Sequence, residues 1–553
     1  MKNWNNSSIE YIKTNPIADE WITSSRINDQ YKKFILAMSP EEINTYFTDE
    51  KMQFGTAGIR ATMGPGTNQM NIFTYQQMTE GVAKWLLSQK ENPTVIVAHD
   101  TRKNADYYAM IVARTLTSFG IKVFLFKNNQ MKATPIVSYS VKEAQTDAGI
   151  IITASHNPKN YLGFKVYGKT GGQILDDDAN QIISYMPESK TIINNTYTPN
   201  ENLISYFDDT IVESYFDASY KCLINTNIYR QKNFPVVFTP HHGTACYDLP
   251  YLLKTLGYEN IFSVPEQSNP DSNFTYSPSF NPEEKTSFNL AVQYAERLKA
   301  KIMLGVDPDA DRLAVAVKHR NKWHYLTGNE MGIIFTNYVL QNRKFDKVPF
   351  IVSTYVSTNY IDRIAAKYGA KVFRTPTGFK WIGAEIDKNI DSMEFVVGFE
   401  EAIGSLNSDI NRDKDSFQAA ALALEIFTYL DDDERTLIDY LDEIFAEFGF
   451  WSGETVSYRI ESLNWKEEMQ MKLEKFQKIK NEDILGIKIM GINWNEPAKA
   501  LEWHLENDMW IKFRLSGTEP KFKIYYEIYG DSKEICNQIL KTFKEEFEFL
   551  LRS

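Results

Sequence analysis

Three times along the chain a run of β-branched and apolar residues gives way to a polar loop, an amphipathic segment and a second short apolar run. The copies are TVIVAHDTRKNADYYAMIVARTLTSFGIKVFLF from Thr94, FPVVFTPHHGTACYDLPYLLKTLGYENIFSV from Phe234 and VPFIVSTYVSTNYIDRIAAKYGAKVFRT from Val348. Short unbroken apolar runs suit buried strands, and a middle segment with apolar residues three and four apart suits a helix, so each copy predicts a β-α-β unit. Gly120, Gly257 and Gly369 stand before the second run of each copy, where glycine can close the helix. The copies lie roughly 140 and 114 residues apart. That is too long for a solenoid and predicts three consecutive α/β domains of similar plan. The first ~50 residues (DQYKKFILAM, EEINTYF) lack strand runs and predict two or three short helices, an N-terminal extension packed on the first of these domains. In the last hundred, WIKFRLSGT and KFKIYYEIYG predict strands facing across a tight loop, with a helix from Ser532, a smaller α+β domain. The fold class expected is therefore α/β, with domains at 1–205, 206–325, 326–450 and 451–553.

Composition narrows the functional classes. A chain of 553 residues, 43% hydrophobic and 14% aromatic, can fill several cores. The net charge of -12 repels polyphosphates, which argues against nucleic-acid or anionic-membrane partners. Cys222, Cys246 and Cys536 form no close pair, so disulfide frameworks and cysteine zinc sites are disfavoured and a reducing cytosol is expected. The N-terminus has no apolar h-region, and the longest apolar stretch, Ala419 to Tyr429, is broken by Glu425 and too short to span a bilayer. Neither a signal peptide nor a transmembrane helix is expected.

Four loops carry candidate chemistry. In AGIIITASHNPKNYLGFKVYG, residues 148–168, a buried strand ends at Ser155-His156-Asn157-Pro158. Reactive groups gather at the C-terminal ends of strands in open α/β sheets, which puts Ser155 where a nucleophile would stand. His156 beside it is a candidate for the same loop but makes no hydrolase dyad, because adjacent side chains diverge. GFKVYGKT at 163–170 matches the Walker A string, yet Phe164 to Tyr167 alternate like a strand, so the match is rejected. The following GGQIL predicts a hairpin turn into another strand, and Lys165 projects from its strand as an acid/base or phosphate contact.

The second loop is IMLGVDPDADRLAV at 302–315. In extended chain Asp307, Asp309 and Asp311 would point the same way. Each carboxylate pair at ~5 Å would repel by ~3 kcal/mol at an effective dielectric of ~20, so the cluster calls for a cation. All-oxygen ligands suggest a hard ion, Mg²⁺ first. An EF-hand is excluded, since its sixth and twelfth positions are Arg312 and Lys318 here. The third loop, MEFVVGFEEAIGS at 393–405, offers Glu400 and Glu401 as hydrogen-bond acceptors for hydroxyls, or simply as an acidic helix start. In the fourth, WIKFRLSGTEPKFKIYY at 510–526, Arg514, Ser516, Gly517, Thr518 and Lys521 combine the donors that bind a phosphate, though a plain hairpin with two cations would read alike.

Taken together, FGTAGIR at 54–60, TASHNP at 153–158, DPDADR at 307–312, TPTGFKW at 375–381, FEEAIG at 399–404 and RLSGTEPK at 514–521 resemble the ordered motifs of the α-D-phosphohexomutases. The style of FGTAGIRATMGPG and FEEAIG is most similar to the branch that includes phosphopentomutases and sugar-bisphosphate synthases. The resemblance implies four domains around a central cleft, Ser155 as a phosphorylated serine, and Mg²⁺ held by Asp307, Asp309, Asp311 and the Ser155 phosphate. It further implies Arg60 and Lys165 in proton transfer, Arg312 after the metal loop, and Glu400 on sugar hydroxyls. Thr377, Gly378, Lys380 and Lys414 would lie near the sugar, with Arg514, Ser516, Gly517, Thr518 and Lys521 on the non-reacting phosphate. Two positions depart from the pattern of other branches: Ala402 stands where many members carry serine, and Phe379 then Lys380 stand where others carry a histidine.

The activity so implied is exchange of a phosphoryl group between the 1- and 6-positions of a hexose phosphate through a sugar 1,6-bisphosphate, in a monomer or weak homo-oligomer. The 1- to 5-exchange of ribose or deoxyribose phosphates, through a 1,5-bisphosphate, is the alternative. A phosphatase with the same serine would release free phosphate. A silent sugar-phosphate-binding protein would have lost the serine or an aspartate, and all four are present.

Overall fold

The computed structural model describes residues 10–225, 234–431, 433–460, 464–479, 482–515 and 521–552. They form two compact units. One takes the chain up to Tyr220, Asn233–Leu313 and the returning segment Ile410–Phe417; the other takes Ala314–Asp409 and Gln418 onward, with Lys221–Lys232.

The first unit opens with three short helices, Pro16–Thr23, Asp29–Ala37 and Pro40–Tyr46, as the absence of strand runs predicts. Each begins on a polar cap (Asn15, Asn28, Ser39), and Trp21 packs edge-on against Phe47 and Phe73 to tie the extension down. Strands β1 (Ile59–Thr62), β2 (Thr94–His99), β3 (Lys122–Leu125), β4 (Ala148–Ile152), β5 (Tyr161–Gly168) and β6 (Ile204–Tyr206) make one sheet in the order β1-β5-β4-β2-β3-β6. β2 pairs in parallel with β3 and β4, while β5 returns antiparallel to β4 and sets Lys165 opposite Ile151. β4 is buried along its whole length, which is why it reads AGIII rather than alternating. The helix Ala105–Ser118 buries Ala105, Tyr108, Ala109, Val112, Ala113 and Leu116, one stripe of a 3.6-residue period, against this sheet's core. Val112 and Leu116 each contribute ~1.5–3 kcal/mol of burial, so a charge at Val112 would break the layer. Gly120 follows this helix at φ 79°, the left-handed turn that favours glycine.

The second β-α-β copy gives β7 (Val236–Thr239), the helix Ala245–Thr255 and β8 (Ile261–Ser263), with β9 (Ile302–Val306) pairing in parallel on the other side of β7.

In the other unit, β10 (Leu313–His319) and β11 (Lys322–Leu326) form a hairpin. The third copy supplies β12 (Pro349–Thr354), the helix Tyr360–Tyr368 and β13 (Lys371–Thr375), and β14 (Glu394–Phe399) and β15 (Ser405–Leu406) complete the order β13-β12-β14-β15. The C-terminal part is an antiparallel sheet of β16 (Phe450–Arg459), β17 (Asp483–Ile484), β18 (Ile487–Asn495), β19 (Ala500–Leu505), β20 (Trp510–Leu515) and β21 (Lys521–Gly530), ordered β16-β21-β20-β19-β18-β17. Phe476, Phe513 and Phe547, from a helix, a strand and the last helix, pack together with ring centroids 4.6–5.7 Å apart. The two expected strands, β20 and β21, do pair, and the helix Lys533–Arg552 follows them. No helix among the described residues is long and apolar enough to cross a membrane.

Candidate active site

β5 settles the Walker-like string: residues 161–168 are strand throughout, with no helix N-terminus to receive a phosphate. The expected strand after Gly172 is absent. Gln173 makes a single bridge to Tyr167, and the run Asp176-Asp177-Asp178 opens the helix Asp176–Tyr185, because three carboxylates suit the positive end of a helix dipole.

Ser155 follows the end of β4 in a tight turn, closed by Asn157 N–H donating to Ala154 O at 3.0 Å. Its φ is +50°, a left-handed conformation that costs a non-glycine residue ~1–2 kcal/mol and is held here by the surrounding contacts. The side chain is buried. Its Oγ donates to Asp307 Oδ2 at 2.7 Å and lies 3.3 Å from His156 Nδ1.

Asp307, Asp309 and Asp311 are all buried, and one oxygen of each lies within 4.8 Å of the others. They converge, but not by strand alternation. β9 ends at Val306, Ala310 N–H donates to Asp307 O at 2.9 Å, and Ala310 takes φ +55°, so a turn gathers the carboxylates. Thr244 N–H donates to Pro308 O at 2.8 Å and Thr134 N–H to Asp309 O at 2.9 Å, which fixes the turn from both sides. Gly243 backs it so closely that a Cβ there would stand 2.6 Å from Pro308 Cα.

Two ammonium groups meet this cluster. Lys165 Nζ lies 2.7 Å from Asp309 Oδ2 and 3.2 Å from Asp311 Oδ2, and Lys414 Nζ lies 3.1 Å from Asp311 Oδ2. Burial, then the charges of Asp309 and Asp311, hold Asp307 well above the ordinary carboxylate range. Burial pushes Asp309 the same way, but Lys165 and a hydrogen bond from Asp307 outweigh it and bring Asp309 below its usual value. Lys165 is raised: burial opposes its charge, and Asp309 and Asp311 more than offset that. Asp309 Oδ1 and Asp311 Oδ1 receive no hydrogen bond from any amide, ammonium or hydroxyl among the described residues. Buried carboxylate oxygens left this way beside a serine hydroxyl fit a hard divalent cation.

Around the cluster, Arg60 Nη1 donates to Asn157 Oδ1 at 2.7 Å, on the serine's own turn. Arg312 Nε lies 3.8 Å from Asp311 Oδ1, and its Nη1 lies 3.7 Å from Glu283 Oε2. Lys414 is held by Asp413 Oδ1 at 2.9 Å, while Asp413 Oδ2 accepts from Tyr167 Oη at 2.8 Å and Gln173 Nε2 at 2.7 Å. Sequence reasoning did not single out Asp413, Tyr167, Gly243, Thr244 or the buried Arg102. The one signal available was position, since Arg102 and His241-His242-Gly243-Thr244 follow strand ends as Ser155 does.

The other unit holds the remaining candidates. Gly378, at φ +118°, donates its N–H to Glu400 Oε1 at 2.9 Å, and Glu400 N–H donates to Gly404 O at 2.9 Å. The acidic pair therefore sits in a closed loop after β14 rather than at a helix start, with Ile403 left-handed at φ +52°. Glu401 Oε2 accepts from Thr354 and Ser357, each at 3.4 Å. Thr377 Oγ1 is buried with no hydrogen-bond partner among the described residues, and Lys380 Nζ stands 5.6 Å from the Trp381 ring centroid. Arg514 lies near the end of β20, across from Lys523, and Lys521 begins β21. Ser516, Gly517 and Thr518 lie outside the described residues.

Repeated α/β domains with a serine at one strand end against a carboxylate cage at another define the equipment of a phosphoryl-transfer protein. Comparison with known proteins makes this specific. The chain matches phosphoglucomutase/phosphomannomutase alpha/beta/alpha domain I at residues 51–192, domain II at 213–321 and domain III at 327–448. It is 42% identical over 540 residues to a phosphomannomutase of Mycoplasmoides pirum, covering 97% of this chain and 99% of that one. It is 33% identical over 521 residues to a phosphoglucomutase of Staphylococcus haemolyticus, covering 90% and 93%. In fold it resembles the open form of pp63/parafusin, a phosphoglucomutase of Paramecium, with a TM-score of 0.68 at 19% identity over 91% of this chain and 96% of that one. The chain belongs to the phosphoglucomutase/phosphomannomutase family.

Proposed function

We infer that this chain is a phosphosugar mutase, an isomerase that moves a phosphoryl group between the 1- and 6-positions of a hexose phosphate through a phosphoserine and a sugar bisphosphate. The observation that carries the reading is Ser155 Oγ, buried at a strand end and 2.7 Å from Asp307 in the aspartate cluster. In the first step a free sugar hydroxyl attacks the phosphorus on Ser155. The new O–P bond forms as the Oγ–P bond breaks, and the hydroxyl proton ends on Ser155 Oγ. We assign the steadying of the moving group and the relay of that proton to Lys165, which pairs with Asp309, and Arg60, which binds Asn157 on the serine's turn. The bisphosphate then turns over, and its original phosphate returns to Ser155 by the reverse chemistry.

Asp307, Asp309, Asp311 and the phosphorylated Ser155 would hold Mg²⁺, which when bound supplies positive charge to the transferring phosphoryl oxygens. We assign Glu400 to the sugar hydroxyls, Thr377, Gly378 and Lys380 to its surroundings, and Arg514, Ser516, Gly517, Thr518 and Lys521 to the non-reacting phosphate. Lys414, whose Nζ lies 3.1 Å from Asp311 Oδ2, we assign to the sugar's surroundings at the edge of the carboxylate cluster. Four domains with boundaries near 205, 325 and 450, a cytosolic location suited to three free cysteines, and a monomer or weak homo-oligomer complete the reading.

Ser155→Ala tests it. Turnover with sugar bisphosphate supplied should fall by about four orders of magnitude or more, with an unchanged circular dichroism spectrum. Near-normal turnover in that variant would end the reading.

A further inference from the structure

Arg102 is a side chain that the mechanism above does not use, and it is completely buried. Its Nη2 donates to Ser155 O at 2.6 Å and to Asn157 O, and its Nη1 donates to Pro158 O at 2.9 Å and Tyr161 O at 3.0 Å. Its Nε lies 3.3 Å from Asp100 Oδ2, and Asp100 Oδ1 accepts from Arg102 N–H at 2.8 Å. Asp100 is in turn fixed to the end of β4, its N–H donating to Ile152 O at 3.0 Å. Phe274 and Phe280, stacked on each other at 4.4 Å, each present a ring centroid 5.6 Å from the Arg102 Cζ.

Burying a guanidinium costs several kcal/mol unless its donors are matched. Here four of the five are matched by main-chain carbonyls of the Ser155 loop and of Tyr161, where that loop enters β5, and the fifth, on Nε, faces the charge of Asp100 at 3.3 Å. Carbonyl oxygens that face one point repel one another, and the guanidinium charge offsets that repulsion. Ser155 meanwhile stays left-handed at φ +50°, a conformation that must be imposed from outside.

We propose that Arg102 is the positioning residue for the nucleophile: it holds the Ser155 loop in the conformation that aims Oγ at Asp307, while Asp100, Phe274 and Phe280 hold Arg102. This rests on the reading of Ser155 as the phosphoryl carrier. A planar fork that sends four N–H groups to four carbonyls is required, and lysine, with the same charge and three donors on one nitrogen, cannot span them.

The test compares the full-length wild type with Arg102→Lys by thermal melting, by the rate at which glucose 1,6-bisphosphate phosphorylates Ser155 (followed by intact mass), and by steady-state kinetics. Misplacing a nucleophile by about 1 Å costs on the order of 10²-fold, so both the phosphorylation rate and kcat should fall by about that factor. The KM for hexose phosphate should stay within about three-fold, since the sugar is read elsewhere. Phosphorylation at the wild-type rate in a folded R102K, or a fall in kcat/KM carried by KM alone, would overturn the proposal. Should R102K not fold, Asp100→Asn, which loosens the same guanidinium from behind, is judged on the same criteria. A wild type that takes no phosphate on Ser155 would overturn the reading beneath the proposal, an outcome distinct from equal rates in the two proteins.

Discussion

The two units handle their polar groups differently. Around Ser155 the aspartates and the two lysines of the cluster are buried and tied to several partners: Asp309 to Lys165 and Thr134, Asp311 to Lys165 and Lys414, and Asp413 to Lys414, Tyr167 and Gln173. Around Glu400, itself buried, the contacts include a glycine N–H, a loop-closing main-chain bond and two long hydroxyl contacts to the neighbouring Glu401, while Arg514 and Lys521 are only half-buried. A charge network in a dry interior resists displacement, because moving one member leaves the others unpaired at low dielectric. A neutral donor gives way at less cost than a member of such a network. Phosphoryl transfer needs donors fixed where charge develops, whereas a site that must accept one bisphosphate in two orientations needs tolerance in what reads the sugar. On this comparison, changes in the first unit should be severe and change kcat, and changes in the second should be graded and change KM and selectivity.

The hardest blow short of removing Ser155 is Asp309→Asn, which keeps the shape and removes a charge that Lys165 also uses. The rate should fall by about 10²–10³-fold. Calorimetric Mg²⁺ affinity should fall with it, and prolonged dialysis of the wild type against EDTA should abolish activity. Activity that survives such dialysis, or an unchanged Mg²⁺ affinity in D309N, would remove the cation from the comparison. Glu400→Gln should be milder. It weakens a charged hydrogen bond worth ~1.5–3 kcal/mol, so kcat/KM should drop about 10- to 100-fold, mostly through KM, with Ser155 phosphorylation by bisphosphate less affected than turnover. If E400Q instead lowered kcat as deeply as D309N, the second unit would be no more forgiving than the first.

The sequence carried the regular elements because periodicity carries them. Three β-α-β copies, the helical extension and the β20–β21 pair stand where the apolar runs place them. β16, β18 and β19 were not visible, and β18 shows why: its burial neither alternates cleanly nor runs unbroken. The aspartates were legible as a group but not in their geometry, because no residue type announces that Ala310 will be left-handed. Arg102 was illegible for a more general reason. Its guanidinium hydrogen bonds go to carbonyl oxygens, which every residue owns, lying 53 or more positions away. Lys414 likewise read as a sugar neighbour from its motif, and only folding shows that Ile410–Phe417 returns to the first unit and delivers the ammonium to Asp311.

The smallest and most informative prediction concerns Ala402, two residues after Glu400 in the same loop. A serine hydroxyl there could hydrogen-bond the sugar, and a site built around such a bond rejects sugars lacking the matching hydroxyl, because its buried partner goes unpaired. Alanine makes no such demand. On the proposed assignments discrimination then rests on Glu400 and the two phosphate positions, and one absent hydrogen bond of ~1 kcal/mol is worth only several-fold in selectivity. The wild type should therefore turn over glucose phosphates together with mannose or pentose phosphates, with kcat/KM for at least two of these sugars within about two orders of magnitude. Ala402→Ser should narrow that range several-fold and leave Ser155 phosphorylation by bisphosphate unchanged, since the variant touches recognition and not transfer. A wild type that preferred one sugar by about four orders of magnitude would show that the second unit reads hydroxyls as rigidly as the first holds its phosphate, through residues other than Glu400.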